Sequence, residues 1–156
     1  MQVLALFKKQ PAPVSPQVKT IEKCVALNDL AKASLEAGNP VGAVSLFMQV
    51  LILKWKTYGR FHEQVADSLH RLSVNLVTME FYESALCVME ELLVVRQNVL
   101  GEGHPLSAQT TSVMMLLWKK LDEAKEKPQS SEELEMKQAK EISIISIFQD
   151  GRANSI

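Results

Sequence analysis

Histidine and cysteine, the residue types most often recruited for metal and redox chemistry, number only three and two in this 156-residue chain. Cys24 and Cys87 sit singly in apolar helical patterns without CxxC spacing, so they read as two reduced packing residues rather than a disulfide or a metal site. Glycine and proline occur six times each, too few to be more than punctuation, and with 47% apolar and 22% charged residues the composition is that of a soluble, globular, helical domain. Positive charge is not in excess. Lys and Arg total 17 against 18 Asp and Glu, a formal charge of -1 that leaves no cationic face for a phosphate backbone, so nucleic acid is not an expected partner. The longest apolar runs, such as Val50 to Leu53 and Val113 to Trp118, stop far short of the roughly 18 to 20 residues of a bilayer span, so no membrane span is expected.

Targeting signals are equally sparse. Met1 to Phe7 is apolar, but Lys8 and Lys9 follow it rather than precede it, and no small-residue cleavage site is apparent. The first 21 residues lack acids, as a mitochondrial presequence does, yet they also lack arginine and contain Pro11, Pro13 and Pro16, which oppose the amphipathic helix such a signal needs. A cytoplasmic protein is the expectation.

What the chain does contain is one phrase written twice. Tyr58-Gly59-Arg60-Phe61-His62 is followed 42 residues later by Leu100-Gly101-Glu102-Gly103-His104. The same step carries Leu27 onto Leu69, Leu30 onto Leu72, Ala43 onto Ala85, and Cys24 onto Ala66 and then Ala108. Small and large apolar residues recurring at a fixed period are the signature of stacked repeats.

Periodicity and breakers divide the chain further. Pro11 to Pro16 favours an extended linker, so residues 1–16 are expected to be a flexible Pro-rich tail. Ile21, Cys24, Val25, Leu27, Leu30, Ala31 and Leu35 recur at three and four from about Gln17, which predicts a helix broken by Gly38-Asn39-Pro40. Further helices are predicted over Val41–Thr57, Glu63–Thr78, Phe81–Val99 and, with Pro105 in its first turn, Pro105–Glu126. Pro128 to Ser131 reads as a linker, and Ser130 or Ser131 can cap a last helix from about Glu132 that ends in the apolar cluster Ile142 to Phe148. The expected organisation is thus a repeat domain over residues 17–127, a linker with a C-terminal capping helix over 128–148, and a flexible tail over 149–156.

Leu27-Asn28-Asp29-Leu30-Ala31, Phe81-Tyr82-Glu83-Ser84-Ala85 and Leu100-Gly101-x-x-His104-Pro105 together resemble tetratricopeptide repeats of the 42-residue kind found in kinesin light chains. The resemblance covers about residues 24 to 125. It implies an all-α fold, a short α-solenoid of stacked antiparallel helix hairpins with two full repeats and a divergent third. Departures lie at Pro40, where the second repeat has Tyr82; at Glu63, where His104 is followed by Pro105; and at Met115, which replaces the small Ala31 and Ser73. The third hairpin is expected to take the 132–148 segment as its second helix, packed back on the fifth helix as a cap, the alternative being an exposed apolar docking strip for a partner.

Candidate chemistry does not survive inspection. His62-Glu63-Gln64-Val65-Ala66 begins like a zinc-protease HExxH helix, but Ala66 stands where the second imidazole is required. The recurrence of His62 as His104 assigns both to the turns instead, and His70 is a lone histidine. Glu90 and Glu91 point to different sides of a helix and read as a solvated edge rather than a two-carboxylate site. Trp55, Trp118, Met114 and Met115 fall at helical spacing and are assigned to core packing rather than to an adaptable surface. Gly101-x-Gly103 follows a helix and belongs to the repeat, not to a phosphate loop. Lys119 to Glu141 mixes both signs of charge as a solvated surface, and Asn154 stands two places before Ile156, where a strong PDZ-type ligand carries Ser or Thr. No catalytic residue, metal or cofactor is expected.

The resemblance also implies a groove lined by the first helix of each hairpin. It places there Val25, Asn28, Lys32 and Leu35, then Asp67, His70, Val74 and Val77, then Gln109, Ser112, Leu116 and Lys119, each set on one helical stripe. Asn28 is the family's position for bonding the backbone of an extended peptide. With Lys32 and Lys119 as its only cations, this surface lacks the clamp that chaperone-binding relatives use for an acidic tail. The expected function is a non-enzymatic scaffold or adaptor that binds a peptide or helical segment of a partner protein within a larger complex, in a cytoskeletal or ciliary setting by analogy alone. The alternative is a structural subunit docked permanently in such an assembly, with the groove unused.

Overall fold

The computed structural model describes residues 14–126 and 130–154, and six α-helices make up nearly all of them: α1 Pro16–Glu36, α2 Pro40–Tyr58, α3 Glu63–Thr78, α4 Tyr82–Leu100, α5 Pro105–Glu126 and α6 Ser131–Ala153. Residues 1–13, most of the expected N-terminal tail, lie outside the described set.

Local chemistry accounts for the boundaries. Ser15 Oγ, Asn39 Oδ1 and Ser130 Oγ accept the backbone N–H groups of Val18, Gly42 and Glu133, and so cap α1, α2 and α6. Two histidines do the same work for α3 and α5. His62 Nδ1 accepts from Gln64 N at 3.1 Å, and His104 Nδ1 from Leu106 N at 3.2 Å, the turn role that their recurrence assigned them. Gly59 and Gly101 end α2 and α4 at φ of 84° and 99°, a region that costs an L side chain strain.

Helices α1 and α2 pair, as do α3 and α4, and the pairs stack because α2 also packs on α3 and α4 on α5. Ala31, Ala43, Ser73 and Ala85 are fully buried, so the small residues that recur at the repeat step occupy the tightest positions. Around them Phe47, Met48, Leu51, Trp55, Val65, Leu69, Leu72, Leu76, Leu92 and Val95 form one continuous core.

The last helix departs from expectation. It packs on α2 and α4 and, among the described residues, makes no close backbone approach to α5, so it is not the second helix of a third hairpin. Its side chains show why. Phe148 packs against Trp55 of α2 with ring centroids 6.0 Å apart and the planes tilted by 48°, and Ile144 is buried with it. One turn on, Gly151 lies so close to α2 that an added Cβ would stand 3.0 Å from Ile52 Cδ1. Arg152 then reaches Glu91 of α4. The helix therefore runs past the expected end at 148, through Gly151, to Ala153. Ile142 and Ile147, part of the cluster expected to be covered, remain exposed.

Two other expectations change with it. Met115 and Trp118 are exposed rather than in the core, because the helix expected over α5 has gone elsewhere. Trp55 does enter the core, as expected. Glu91 is not a solvated edge: it is buried, and it binds Arg60 and Arg152, while Glu90 stays exposed.

Candidate functional site

Two clefts open where successive hairpins meet. The first, about 340 Å³, lies between α1 and α3 with α2 beneath, and is lined by Thr20, Ile21, Cys24, Val25, Asn28, Lys54, Tyr58, Gln64, Asp67 and Arg71. The second, about 200 Å³ and markedly more apolar, lies between α3 and α5 over α4. Its walls are His70, Val74, Val77, Thr78, Gln109 and Val113, and its floor Met89, Leu92 and Arg96.

The two clefts share a construction that the repeat step makes visible. Lys54 Nζ donates to the carbonyl of Gln64 at 3.3 Å, and Arg96 Nη1 donates to the carbonyl of Leu106 at 3.2 Å. Donor and acceptor both advance by one repeat. In each case a cation from the second helix of a hairpin ties down the first turn of the next helix. Each cation also holds a second group, Lys54 Nζ donating to Gln64 Oε1 at 3.2 Å and Arg96 Nη1 to Thr110 Oγ1 at 2.6 Å. Burial pushes the pKa of both cations down from their ordinary values; for Lys54, Cys24 and Asp67 oppose that shift, and for Arg96, Asp67 opposes it.

Of the residues assigned to the groove from sequence, Val25, Asn28 and Asp67 line the first cleft, and His70, Val74, Val77 and Gln109 line the second. The remaining five line neither. Lys32 pairs with Asp29 at 3.9 Å on an exposed stretch of α1, Leu35 packs partly against the core, and Ser112 donates its hydroxyl to the Ala108 carbonyl. Leu116 and Lys119 are exposed on α5. The expectation that Lys32 and Lys119 are the only cations here is corrected by Lys54, Arg71 and Arg96, which line the clefts. Lys54 and Arg96 stand 42 residues apart and could have been found by extending the same alignment to polar positions.

Electrostatics separate the two clefts as well. In the first, Asp67 faces Arg71 and Lys54, a polar mixture suited to hydrogen bonding. In the second, burial and the neighbouring Arg96 push the His70 pKa below its ordinary value, so its imidazole is neutral at neutral pH and can both donate and accept. The Cys24 thiol beside Lys54 is pushed up by burial, which makes it a poor nucleophile. Among the described residues no group of three or more His, Cys, Asp or Glu side chains could hold a metal ion. What this surface can do is receive apolar side chains in the second cleft and backbone or polar groups in the first.

No helix among the described residues is long and apolar enough to cross a membrane. In comparison with known proteins, residues 65–106 match the family model of the tetratricopeptide repeat. The match begins in the first turn of α3, takes in all of α4 and ends in the first turn of α5, and so spans one 42-residue period. No curated protein matches the chain.

Proposed function

We propose that this chain, a protein of the tetratricopeptide-repeat type, is a non-enzymatic scaffold that holds a peptide segment of a partner protein across its two clefts. The observation that carries this reading is convergence: seven residues drawn from three separate helical stripes line two adjoining concavities rather than scattering over the surface. An apolar side chain of the peptide enters the second cleft against Val74, Val77 and Val113. Its backbone passes Asn28, whose amide offers one acceptor and two donors at the first. The functional unit is the stack from α1 to α5 held by α6, and a cytoplasmic setting, cytoskeletal or ciliary by family analogy, fits it.

Selection of a random peptide display library on the full chain tests the proposal. Enriched peptides are expected to lose binding to Val74→Glu and to Asn28→Ala while both variants melt as the parent does. Peptides that bind both variants unchanged would place the interaction elsewhere.

The exposed Met115 and Trp118 favour a second reading, in which the end of the stack is also a docking surface.

A further inference from the structure

Helix α3 has a hairpin neighbour on each side, α2 and α4, and carries two sets of buried residues. Among the described residues α5 has one such neighbour, α4, and one buried set: Ser107, Thr110 and Leu117. The 42-residue step shows which set is missing. Leu69, Ser73 and Leu76, all fully buried in α3, correspond to Thr111, Met115 and Trp118 of α5. Met115 is 62% exposed and Trp118 51%. With α6 fastened to α2 and α4, nothing among the described residues covers this stripe.

The stripe has an internal asymmetry. Ala108, Thr111, Met115, Trp118 and Asp122 alternate in spacing between three and four, which is the seam of a helix–helix contact. Its first half is small and uncharged. Its second half is bulky, and the charges of α5, from Lys119 and Lys120 to Glu126, are confined to that end.

We propose that this face is the contact of a two-fold homodimer in which α5 of one copy crosses α5 of the other antiparallel at Met115. Such a crossing sets each Trp118 against the small Thr111 and Ser112 of the other copy, so that large meets small. It holds the two charged ends apart. Parallel pairing would set Trp118 on Trp118 and like charge on like. The seam carries no charge before Asp122 and thus no signature for a differently charged partner, whereas a self-complementary patch is what an isologous contact requires.

Sedimentation of the full chain over a range of concentrations tests this. The parent is expected to dimerise, and Met115→Asp to remain a monomer with an unchanged helical spectrum. In a Cys87→Ser background, Met115→Cys is expected to form a disulfide-linked dimer under mild oxidation, because the two-fold axis places the new thiols together. Glu123→Cys, whose two copies lie at opposite ends of the contact, is expected not to cross-link. A chain that stays monomeric at every concentration would overturn the proposal, and the face would then belong to a foreign helix or to nothing. A dimer indifferent to Met115→Asp, or cross-linking of Glu123→Cys as readily as of Met115→Cys, would overturn it equally.

Discussion

Arg60, in the turn between α2 and α3, and Glu91, in the middle of α4, form a two-point ion pair with Nε–Oε1 at 2.6 Å and Nη2–Oε2 at 2.8 Å. Arg152 of α6 completes it at 3.1 Å from Oε2. One buried carboxylate thus fastens a turn and the last helix to the body of the stack. The partners differ in exposure: the Glu91 side chain is 1% exposed, those of Arg60 and Arg152 32% and 45%. Removing the arginines strands a buried charge, whereas removing the carboxylate leaves two cations that water can reach. Arg60→Ala combined with Arg152→Ala is therefore expected to destabilise the chain by about 3 to 5 kcal/mol, and Glu91→Leu by much less. Urea unfolding of the two variants decides, and equal losses would show that the asymmetry in burial does not matter.

Gly38 and Glu80 occupy the same position one repeat apart, each just beyond the end of a first helix, at φ of 75° and 60°. The following residues, Asn39 and Phe81, donate to the carbonyls of Ser34 and Leu76 in the same way. Glycine adopts this left-handed conformation freely and glutamate does not, so Glu80→Gly is expected to stabilise the fold by about 1 kcal/mol. Gly38→Ala, with open space around the new Cβ, is expected to cost a similar amount through φ alone. Thermal melts of the pair should move in opposite directions.

Ala85 is fully buried at the start of α4, where the recurring small residue allows the helices of the second hairpin to approach. Ala85→Leu is expected to overpack this contact and lower stability by about 1 to 3 kcal/mol. An unchanged melting temperature would mean that the contact has room to spare.

Glu141 of α6 is buried beside Glu83 and Ser84 at the start of α4. Burial first, and the charge of Glu83 second, raise its pKa from 4.5 to about 7, with Lys137 opposing. The folded chain therefore holds this proton more tightly than the unfolded chain. The associated stability is present in full below the unfolded pKa and is lost as pH rises through about 7. Glu141→Gln, which keeps the shape and cannot ionise, is expected to be more stable than the parent at about pH 8 and to match it below about pH 4. A constant difference between the two at every pH would show that Glu141 does not titrate in this window.

The helices, the turns and the cap of the last helix at Ser130 were legible in the sequence because each depends on residues within a few positions of one another. The alternation of apolar residues at three and four marks a helix whatever it packs against. Ser15, Asn39, His62 and His104 bond backbone groups two or three residues away, and Gly59 and Gly101 act through their own φ. The 42-residue step added the stacking order, since a small residue such as Ala85 recurs only where two helices must come close. Seven of the residues placed on the groove's helical stripes line the two clefts.

Only the tertiary structure decided where α6 goes. Its apolar residues show that some face must be covered, but Ile144 and Phe148 would be satisfied by any apolar surface of the right shape. The surface is specified by Trp55, Ile52 and Glu91, which lie far away in the chain and are joined to α6 by contacts that no periodicity encodes. The same is true of Glu91 itself. Its neighbours in sequence mark it as one more charge on a helix, and burial becomes tolerable only because two arginines from other elements reach it. The open face of α5 follows from that choice: once α6 lies across α2 and α4, nothing else among the described residues covers Met115 and Trp118.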